Sequence, residues 1–130
     1  NRHYHFPNIK KPEIKNSLLS QIWEISKNAV INCSQEGYVD CPSREKGQYL
    51  GDLTVTAHSH LCLNGDTTLL KKALVDFSVS SRICKGLMAT SPGSFMMEIA
   101  DYSLHYPYQL YLYYKYSYKQ QRLQRKPIGE

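Results

Sequence analysis

The chain has 130 residues, of which 42% are hydrophobic and 21% charged, values typical of one folded globular domain and unlike those of a disordered chain. The formal net charge is +5, but the basic residues cluster only near the two ends, which favours solvated termini over a nucleic-acid-binding face. No run of about 18 apolar residues occurs, so we predict neither a membrane span nor a membrane partner.

Two amphipathic helices are predicted in the first half of the chain. Apolar residues recur at helical spacing over residues 17 to 32, and Asn16 or Ser17 can cap this helix. A second helix is predicted over residues 52 to 63, with Asn64-Gly65 as its C-terminal stop. The apolar stripes of the two helices are formed by Leu18, Leu19, Ile22, Trp23, Ile25, Ala29 and Val30, and by Leu53, Ala57, His60 and Leu61.

Two further helices are predicted in the second half. Asp66 can cap a helix over residues 67 to 82, which carries Leu70, Ala73, Leu74 and Phe77 on one face. A long connection over residues 84 to 99 leads to a helix over residues 101 to 118 that contains Pro107. Short links between successive helices predict antiparallel hairpins and an all-α fold.

The two ends of the chain lack helical spacing. Residues 1 to 15 contain two prolines and are predicted to be a linker from a preceding domain, whereas residues 119 to 130 are predicted to be a frayed polar tail. The helical domain therefore covers residues 16 to 118.

The four cysteines predict neither a metal site nor a disulfide framework. Cys33, Cys41, Cys62 and Cys84 are widely spaced and form no C-x-x-C pair, so we expect buried free thiols. No metal and no cofactor are predicted for this chain.

The stretch "DCPSREKGQYLGD" places three acids, Asp40, Glu45 and Asp52, beside Arg44 in a segment rich in glycine. Proline and glycine break regular structure there, so residues 36 to 51 are predicted to be a loop with its acids on one exposed rim. The residue types alone allow Asp52 to be a helix N-cap and the remainder to be a solvated charged turn with an Arg44 ion pair.

The order of these residues resembles the signature of glycoside hydrolase family 78, the α-L-rhamnosidases. The matching segment continues into "IWEISKNAVINCSQEGYVDCP" before the loop and "FMMEIADYSLHYPYQLYLYYKYS" after it. The resemblance covers about residues 16 to 118. It implies an all-α fold, in which antiparallel helical hairpins form part of an (α/α)6 toroid, and an inverting hydrolase acting on terminal α-L-rhamnose in glycans or glycosides.

The resemblance also implies roles for individual side chains. Glu45 matches the general acid, Asp40 and Asp52 match acids that hold sugar hydroxyls, and Arg44 matches the neighbouring basic residue of the loop. A general acid needs a raised pKa, which nearby carboxylates and partial burial supply, whereas hydroxyl recognition needs ionised acceptors. Asp101 matches the later Asp-Tyr-Ser segment of the family.

Inversion requires a second carboxylate, about 6.5 to 9.5 Å from the acid, to activate a water on the far side of the sugar ring. In the family that base lies further along the toroid than this chain reaches. The predicted helices make about a third of such a toroid, so we expect some of their apolar faces to be exposed. We also expect the rest of a larger catalytic chain to be their partner.

The histidines and most aromatic residues lie outside the acidic loop. Most tyrosines of the last helix are expected to pack in the core or between helices, with Tyr102 and His105 as candidates for substrate contact. His58 and His60, two residues apart on one helix, do not converge on a metal. They are expected to be partly exposed or satisfied core residues, and Trp23 is expected in the core.

Two other classes of function remain open from the residues. A non-catalytic carbohydrate-binding or helical interaction fragment would keep the acidic loop and aromatic residues without hydrolysis. A small helical nucleic-acid binder would use the positive charge and the tyrosines for phosphate contact and stacking. The sequence shows no nucleic-acid-binding signature, so no nucleic-acid partner is predicted.

Overall fold

The computed structural model describes residues 3–82, 85–93 and 98–124, with side chains described up to residue 118. It contains four helices: α1 (Ser17–Asn32), α2 (Leu50–Asn64), α3 (Thr68–Ser80) and α4 (Ala100–Gln124). The extended pairing within these ranges is limited to two isolated bridges, Ser34 with Tyr38 and Ala89 with Glu98. The predicted all-α fold is confirmed.

Local hydrogen bonds explain where the first three helices begin and end. Asn16 caps α1, because its side-chain oxygen accepts from the Leu19 N–H at 3.1 Å. Gly65 ends α2 in the left-handed conformation, with φ of 77°, and Asp66 Oδ1 then accepts from the Thr68 N–H at 2.9 Å. The roles predicted for Asn16 and Gly65 are therefore confirmed, whereas the N-cap of α3 is Thr67 and Asp66 lies one residue before it.

The start of α2 differs from the prediction. The helix begins at Leu50, so Asp52 lies within its first turn and the N-cap assignment for Asp52 is wrong. The N-cap is Tyr49, whose backbone is extended, and the Leu50 N–H donates to the Thr90 carbonyl at 3.2 Å. The helix therefore starts where the 85–93 connection supplies an acceptor.

The end of α4 also differs from the prediction. The helix continues to Gln124, six residues beyond its expected end, because the lysine, glutamine and arginine residues of this run favour helix even without an apolar stripe. Pro107 lies inside α4 and removes one backbone N–H from its hydrogen-bond ladder. Residues 125–130 of the predicted tail, like Cys84, lie outside the described residues.

The core lies between α2, α3 and α4. Each apolar position predicted for α2 and α3 is buried, and α4 contributes Leu112. The buried cluster consists of Tyr38, Leu50, Leu53, Ala57, Leu61, Leu69, Leu70, Ala73, Leu74, Phe77 and Leu112. Because Tyr38 and Leu50 flank the acidic loop, this core anchors both of its ends.

Helices α2 and α4 lie side by side and run in the same direction. The Tyr102 ring covers Gly51, the His58 and Tyr108 rings are 6.4 Å apart, and Cys62 Sγ lies 3.9 Å from the Tyr116 hydroxyl. Later residues of α2 contact later residues of α4, so the two helices are parallel. Helix α3 lies between them in the chain and leads back to the end where α2 began. The N-termini of α2 and α4 therefore meet at one end of the domain.

Helix α1 exposes its apolar stripe. No residue of α1 is buried, and its large side chains Leu18, Leu19, Ile22 and Ile25 are 49–70% exposed. The amphipathic helix is confirmed, as is the expectation of an uncovered apolar face, because these four side chains stay exposed although α1 contacts α2. Trp23 is half-buried instead of a core residue, with the Lys11 and Lys27 ammonium groups over its ring at 5.4 and 5.0 Å.

The tyrosines of α4 are less buried than expected. Tyr102, Tyr106, Tyr113 and Tyr116 pack against the core in part, whereas Tyr108, Tyr111, Tyr114 and Tyr118 are 40–65% exposed. The helix turns only one face toward α2 and α3, so the tyrosines on its other face are left in solvent. The expectation that most of them pack inside is therefore wrong for these four.

Residues 3–15 are fixed to the helices although they contain no regular structure. The Tyr4 N–H donates to Ser34 and the Lys10 N–H donates to Leu63, while the Tyr4 hydroxyl donates to Asp66 at 2.5 Å. The assignment of residues 1–15 to a linker stays a prediction, and their contacts show that this segment covers one side of α2.

The described cysteines are free but not fully buried. Cys33 and Cys41 are half-buried and Cys62 is exposed, so the expectation of buried thiols is wrong for these three. In the described ranges, no group of three or more histidine, cysteine or acidic side chains is placed to hold a metal ion. None of the helices found there combines the length and the apolarity that crossing a bilayer requires.

Candidate active site

The segment between α1 and α2 is a closed loop fastened at both ends. Asp40 and Gly47 exchange two hydrogen bonds: the Asp40 N–H donates to the Gly47 carbonyl, and the Gly47 N–H donates to Asp40 Oδ1, both at 2.9 Å. On the α1 side the Val39 N–H donates to the Cys33 carbonyl at 2.8 Å. Residues 40–47 therefore form a small rigid turn, here called the signature loop, which carries Arg44 and Glu45.

The Asp40 side chain fastens the signature loop through its hydrogen bond with Gly47. Partial desolvation acts to raise the pKa of Asp40, but hydrogen bonds from the Cys41 thiol and from backbone N–H groups outweigh it, so the pKa lies below its usual value. Its carboxylate is therefore an ionised acceptor. One of its oxygens is already used by Gly47.

Glu45 is held from both sides. One oxygen pairs with the Arg44 guanidinium, and the other accepts from the Tyr49 hydroxyl at 3.0 Å. Glu45 is 37% exposed and Arg44 80% exposed, so the carboxylate stays open to a ligand. The Tyr49 ring folds back over Gly47, where a Cβ would lie 2.5 Å from it, so only glycine leaves room for this contact.

Tyr49 was missed by the sequence argument. It lies four residues after Glu45 and three before Asp52. Its hydrogen bond to Glu45 raises the pKa of the Tyr49 hydroxyl above its usual value. The spacing of Glu45 and Tyr49, with a glycine between them, is the signal that could have found it.

Asp52 lies in the first turn of α2, is exposed, and has no hydrogen-bond or ion-pair partner among the described side chains. The Tyr102 ring lies directly over Gly51, the residue before it. Tyr102 therefore contributes to the wall next to Asp52, and His105 lies one turn further along α4 with its ring 6.3 Å from that of Tyr102. Asp101, in the first turn of α4, is exposed at the same end.

The predicted site residues therefore come together in two groups at one end of the domain. Asp40, Arg44 and Glu45 lie on the signature loop, and Asp52 lies across from Tyr102 where α2 and α4 begin. A cavity of about 760 Å³ adjoins the same loop. Its lining includes Val39, Lys46 and Gln48 but none of the three acids. The three acids therefore do not form the wall of this cavity.

A substitution at Gly51 should weaken the packing of α4 on α2. A Cβ at residue 51 would lie 2.7 Å from Tyr102 Cζ, so we expect Gly51→Ala to lower the free energy of unfolding by about 1–3 kcal/mol. Urea denaturation measures this change. In a Tyr102→Ala background the same substitution should be neutral or stabilising, because alanine favours helix over glycine. An equal loss in both backgrounds would contradict the contact.

Two substitutions at Asp40 should distinguish the effect of its hydrogen bond to Gly47 from the effect of its negative charge. Asp40→Ala leaves the Gly47 N–H without its acceptor, which we expect to cost about 1–2 kcal/mol of stability, whereas Asp40→Asn retains an oxygen acceptor and should cost less. Thermal unfolding at pH 7 measures both. Equal losses for the alanine and asparagine variants would mean that the charge, not the hydrogen bond to Gly47, fastens the loop.

The domain displays two carboxylates on the signature loop and two more in the first turns of α2 and α4, and paired carboxylates are the groups that glycoside hydrolysis uses. The chain belongs to the family of bacterial alpha-L-rhamnosidase six-hairpin glycosidase domains, whose family model matches residues 12–121. Comparisons with curated proteins and with solved structures gave no match. The predicted family is confirmed, and the four helices agree with part of a six-hairpin fold.

Proposed function

We propose that this domain supplies the proton donor and part of the sugar-binding surface of an inverting α-L-rhamnosidase, with terminal α-L-rhamnose of glycans or glycosides as substrate. Family membership supports the glycosidase class and a glycan substrate. The placement of Glu45 carries the mechanism: its carboxylate is rigidly oriented by Arg44 and Tyr49 and remains accessible.

Each remaining residue receives a role from its position. Glu45 gives a proton to the glycosidic oxygen, and Tyr49 and Arg44 orient it. Asp52, exposed and without a partner among the described side chains, accepts sugar hydroxyls together with the ionised carboxylate of Asp40. Tyr102, His105 and Asp101 form the adjoining wall on α4.

The general base is proposed to come from the rest of a larger catalytic chain. The exposed apolar stripe of α1 supports this part of the proposal, because further helical hairpins of the same fold would cover it. The base would then face Glu45 across the bound sugar, at the separation that an inverting mechanism needs.

The test is the hydrolysis of an α-L-rhamnoside followed by proton NMR, in the full-length protein. We expect release of L-rhamnose whose first-formed anomer is β, because water attacks from the face opposite the leaving group. Release of the α-anomer first would contradict inversion. Failure to release rhamnose from any α-L-rhamnoside would contradict the enzymatic assignment.

One observation favours a second function, that of a carbohydrate-binding domain without hydrolysis. Both oxygens of Glu45 and one oxygen of Asp40 already have partners, an arrangement that suits a fixed acceptor surface. Binding of L-rhamnose that Asp52→Asn weakens, without any hydrolysis, would support this function over the first.

A further inference from the structure

Two free thiols, Cys33 and Cys41, both contact Asp40. The Cys33 thiol donates to the Asp40 backbone carbonyl at 3.7 Å, and the Cys41 thiol donates to the Asp40 carboxylate. The Asp40 carbonyl belongs to the peptide unit that joins Asp40 to Cys41, so the Cys33 sulfur rests on the backbone of the other cysteine. The proposed acid–base chemistry uses neither thiol.

The path of the backbone keeps these two cysteines together. One of the two isolated bridges folds the segment after α1 back on itself, and the Val39 N–H donates to the Cys33 carbonyl at 2.8 Å. Cys41, two residues after Val39, is thereby returned to the end of α1. Burial, and the charge that Cys41 and Asp40 carry when ionised, raise the pKa of Cys33. The two sulfur atoms therefore lie within electrostatic reach of each other.

Both thiols are half-buried, so a small oxidant can reach them where a protein oxidant would be hindered. We propose that Cys33 and Cys41 form a redox modification site, in which hydrogen peroxide joins the two thiols in a reversible disulfide that lowers the activity of the domain. The effect on activity rests on the proposed function. The O–O bond breaks as the S–S bond forms, the sulfur atoms give two electrons to the peroxide, and the thiol protons leave in two molecules of water.

The disulfide acts on the signature loop by removing hydrogen bonds that the thiols make there. A disulfide sulfur carries no proton, so Asp40 loses the donors to its carbonyl and to its carboxylate. The Cys41 sulfur also accepts from the Glu45 N–H at 3.4 Å, and moving this sulfur toward Cys33 takes that acceptor away. Oxidation therefore loosens the loop at the residue that carries the proposed proton donor.

Peptide mass spectrometry and enzyme kinetics of the full-length protein test the proposal. After treatment with hydrogen peroxide and alkylation of the remaining thiols, we expect a disulfide that joins Cys33 to Cys41. Hydrolysis of an α-L-rhamnosyl disaccharide should fall about 10- to 100-fold, as when a catalytic group is slightly misplaced. Dithiothreitol should restore it. Hydrogen exchange within residues 40–47 should be faster in the oxidised protein, which reports on the loop without any substrate.

Two serine variants separate this pair from other thiols. Cys33→Ser keeps a hydroxyl that can donate to the Asp40 carbonyl, so the reduced variant should stay active and should resist peroxide. Cys62→Ser is the matched control, because it removes an exposed thiol on α2 and keeps both members of the pair. The control should lose as much activity in peroxide as the unmodified sequence.

Three outcomes decide between the parts of the proposal. No disulfide after peroxide treatment, or a disulfide of either residue with a different cysteine, would overturn it. Equal peroxide sensitivity of Cys33→Ser and the unmodified sequence, or full activity with the disulfide in place, would overturn its regulatory part. A disulfide between Cys33 and Cys41 with faster exchange in the loop, but no rhamnoside hydrolysis in either state, would support the redox site and contradict the proposed function instead.

Discussion

Replacing Glu45 by glutamine should lower kcat/KM for an unactivated α-L-rhamnosyl disaccharide about 10²- to 10⁴-fold, the usual contribution of a general acid. Glutamine has the size of glutamate and retains an oxygen that can accept from Tyr49, so the signature loop should keep its shape. It has no carboxyl proton to give, so the sugar leaving group would depart as an unprotonated alkoxide.

The leaving group provides an internal check on this role. p-Nitrophenolate departs without much protonation, so Glu45→Gln should affect the p-nitrophenyl α-L-rhamnoside far less than the disaccharide. Steady-state kinetics of the full-length protein with both substrates measures the ratio. Glu13→Gln, an exposed acid in the segment before α1, serves as the control. Equal losses on the two substrates would remove Glu45 from the role of acid.

Acidification from pH 6.5 to pH 4 should destabilise the fold by about 3 kcal/mol through His60 alone. Burial lowers the pKa of His60 from 6.5 to about 4, because charging the ring inside the core is costly. The unfolded chain therefore binds more protons than the folded chain between these values, so stability falls as the pH falls across this window. The difference between the two pKa values, at about 1.4 kcal/mol for each pH unit, gives the expected size.

The surroundings of His60 explain why it stays neutral. Its Nδ1 shares a hydrogen bond of 2.6 Å with the buried Tyr38 hydroxyl, and its Nε2 has no partner in the described structure. The Tyr4 and Phe6 rings cover it at 5.6 and 4.3 Å between centroids. The nearest acid, Asp66, acts to raise the pKa of His60 but is outweighed by burial.

Urea denaturation at several pH values between 4 and 7 measures this effect. His60→Gln should flatten the pH dependence in that window, whatever it does to stability at pH 7. His58→Gln, two residues away and only half-buried, is the matched control, because it removes a histidine and keeps His60 in place. A slope that survives in His60→Gln would assign the acid sensitivity to another group. Because Tyr38 precedes the signature loop, loss of this cluster should also loosen the segment that carries Glu45.

The fold was predictable wherever local chemistry decided it. Asn16 and Gly65 act on the backbone within four residues of themselves, so the start of α1 and the end of α2 were correct. The start of α2 depends on the Thr90 carbonyl, forty residues away in the chain, and no local pattern encodes that contact. Exposed apolar side chains were predicted from the number of helices, but the apolar stripe of α1 did not show that α1 would be the helix left uncovered.

The site was predictable in its residues but not in its contacts. The motif located Asp40, Arg44, Glu45 and Asp52 on one loop and its flanking helix, where the structure has them, and their roles stay predictions. The hydrogen bonds of Asp40 to Gly47 and of Tyr49 to Glu45 depend on the path of a glycine-rich backbone. That path has no periodicity, so sequence patterns give its length but not its shape.

The shared starting end of α2 and α4 has an electrostatic consequence for the proposed site. The peptide dipoles of each helix sum to about half a positive charge at its first turn, and here two such turns lie together. Their combined field favours negative charge nearby, which accommodates Asp52 and Asp101 in those turns. The two positive helix ends therefore offset part of the repulsion between these two carboxylates, so the backbone would help to hold both acids at one end of the domain.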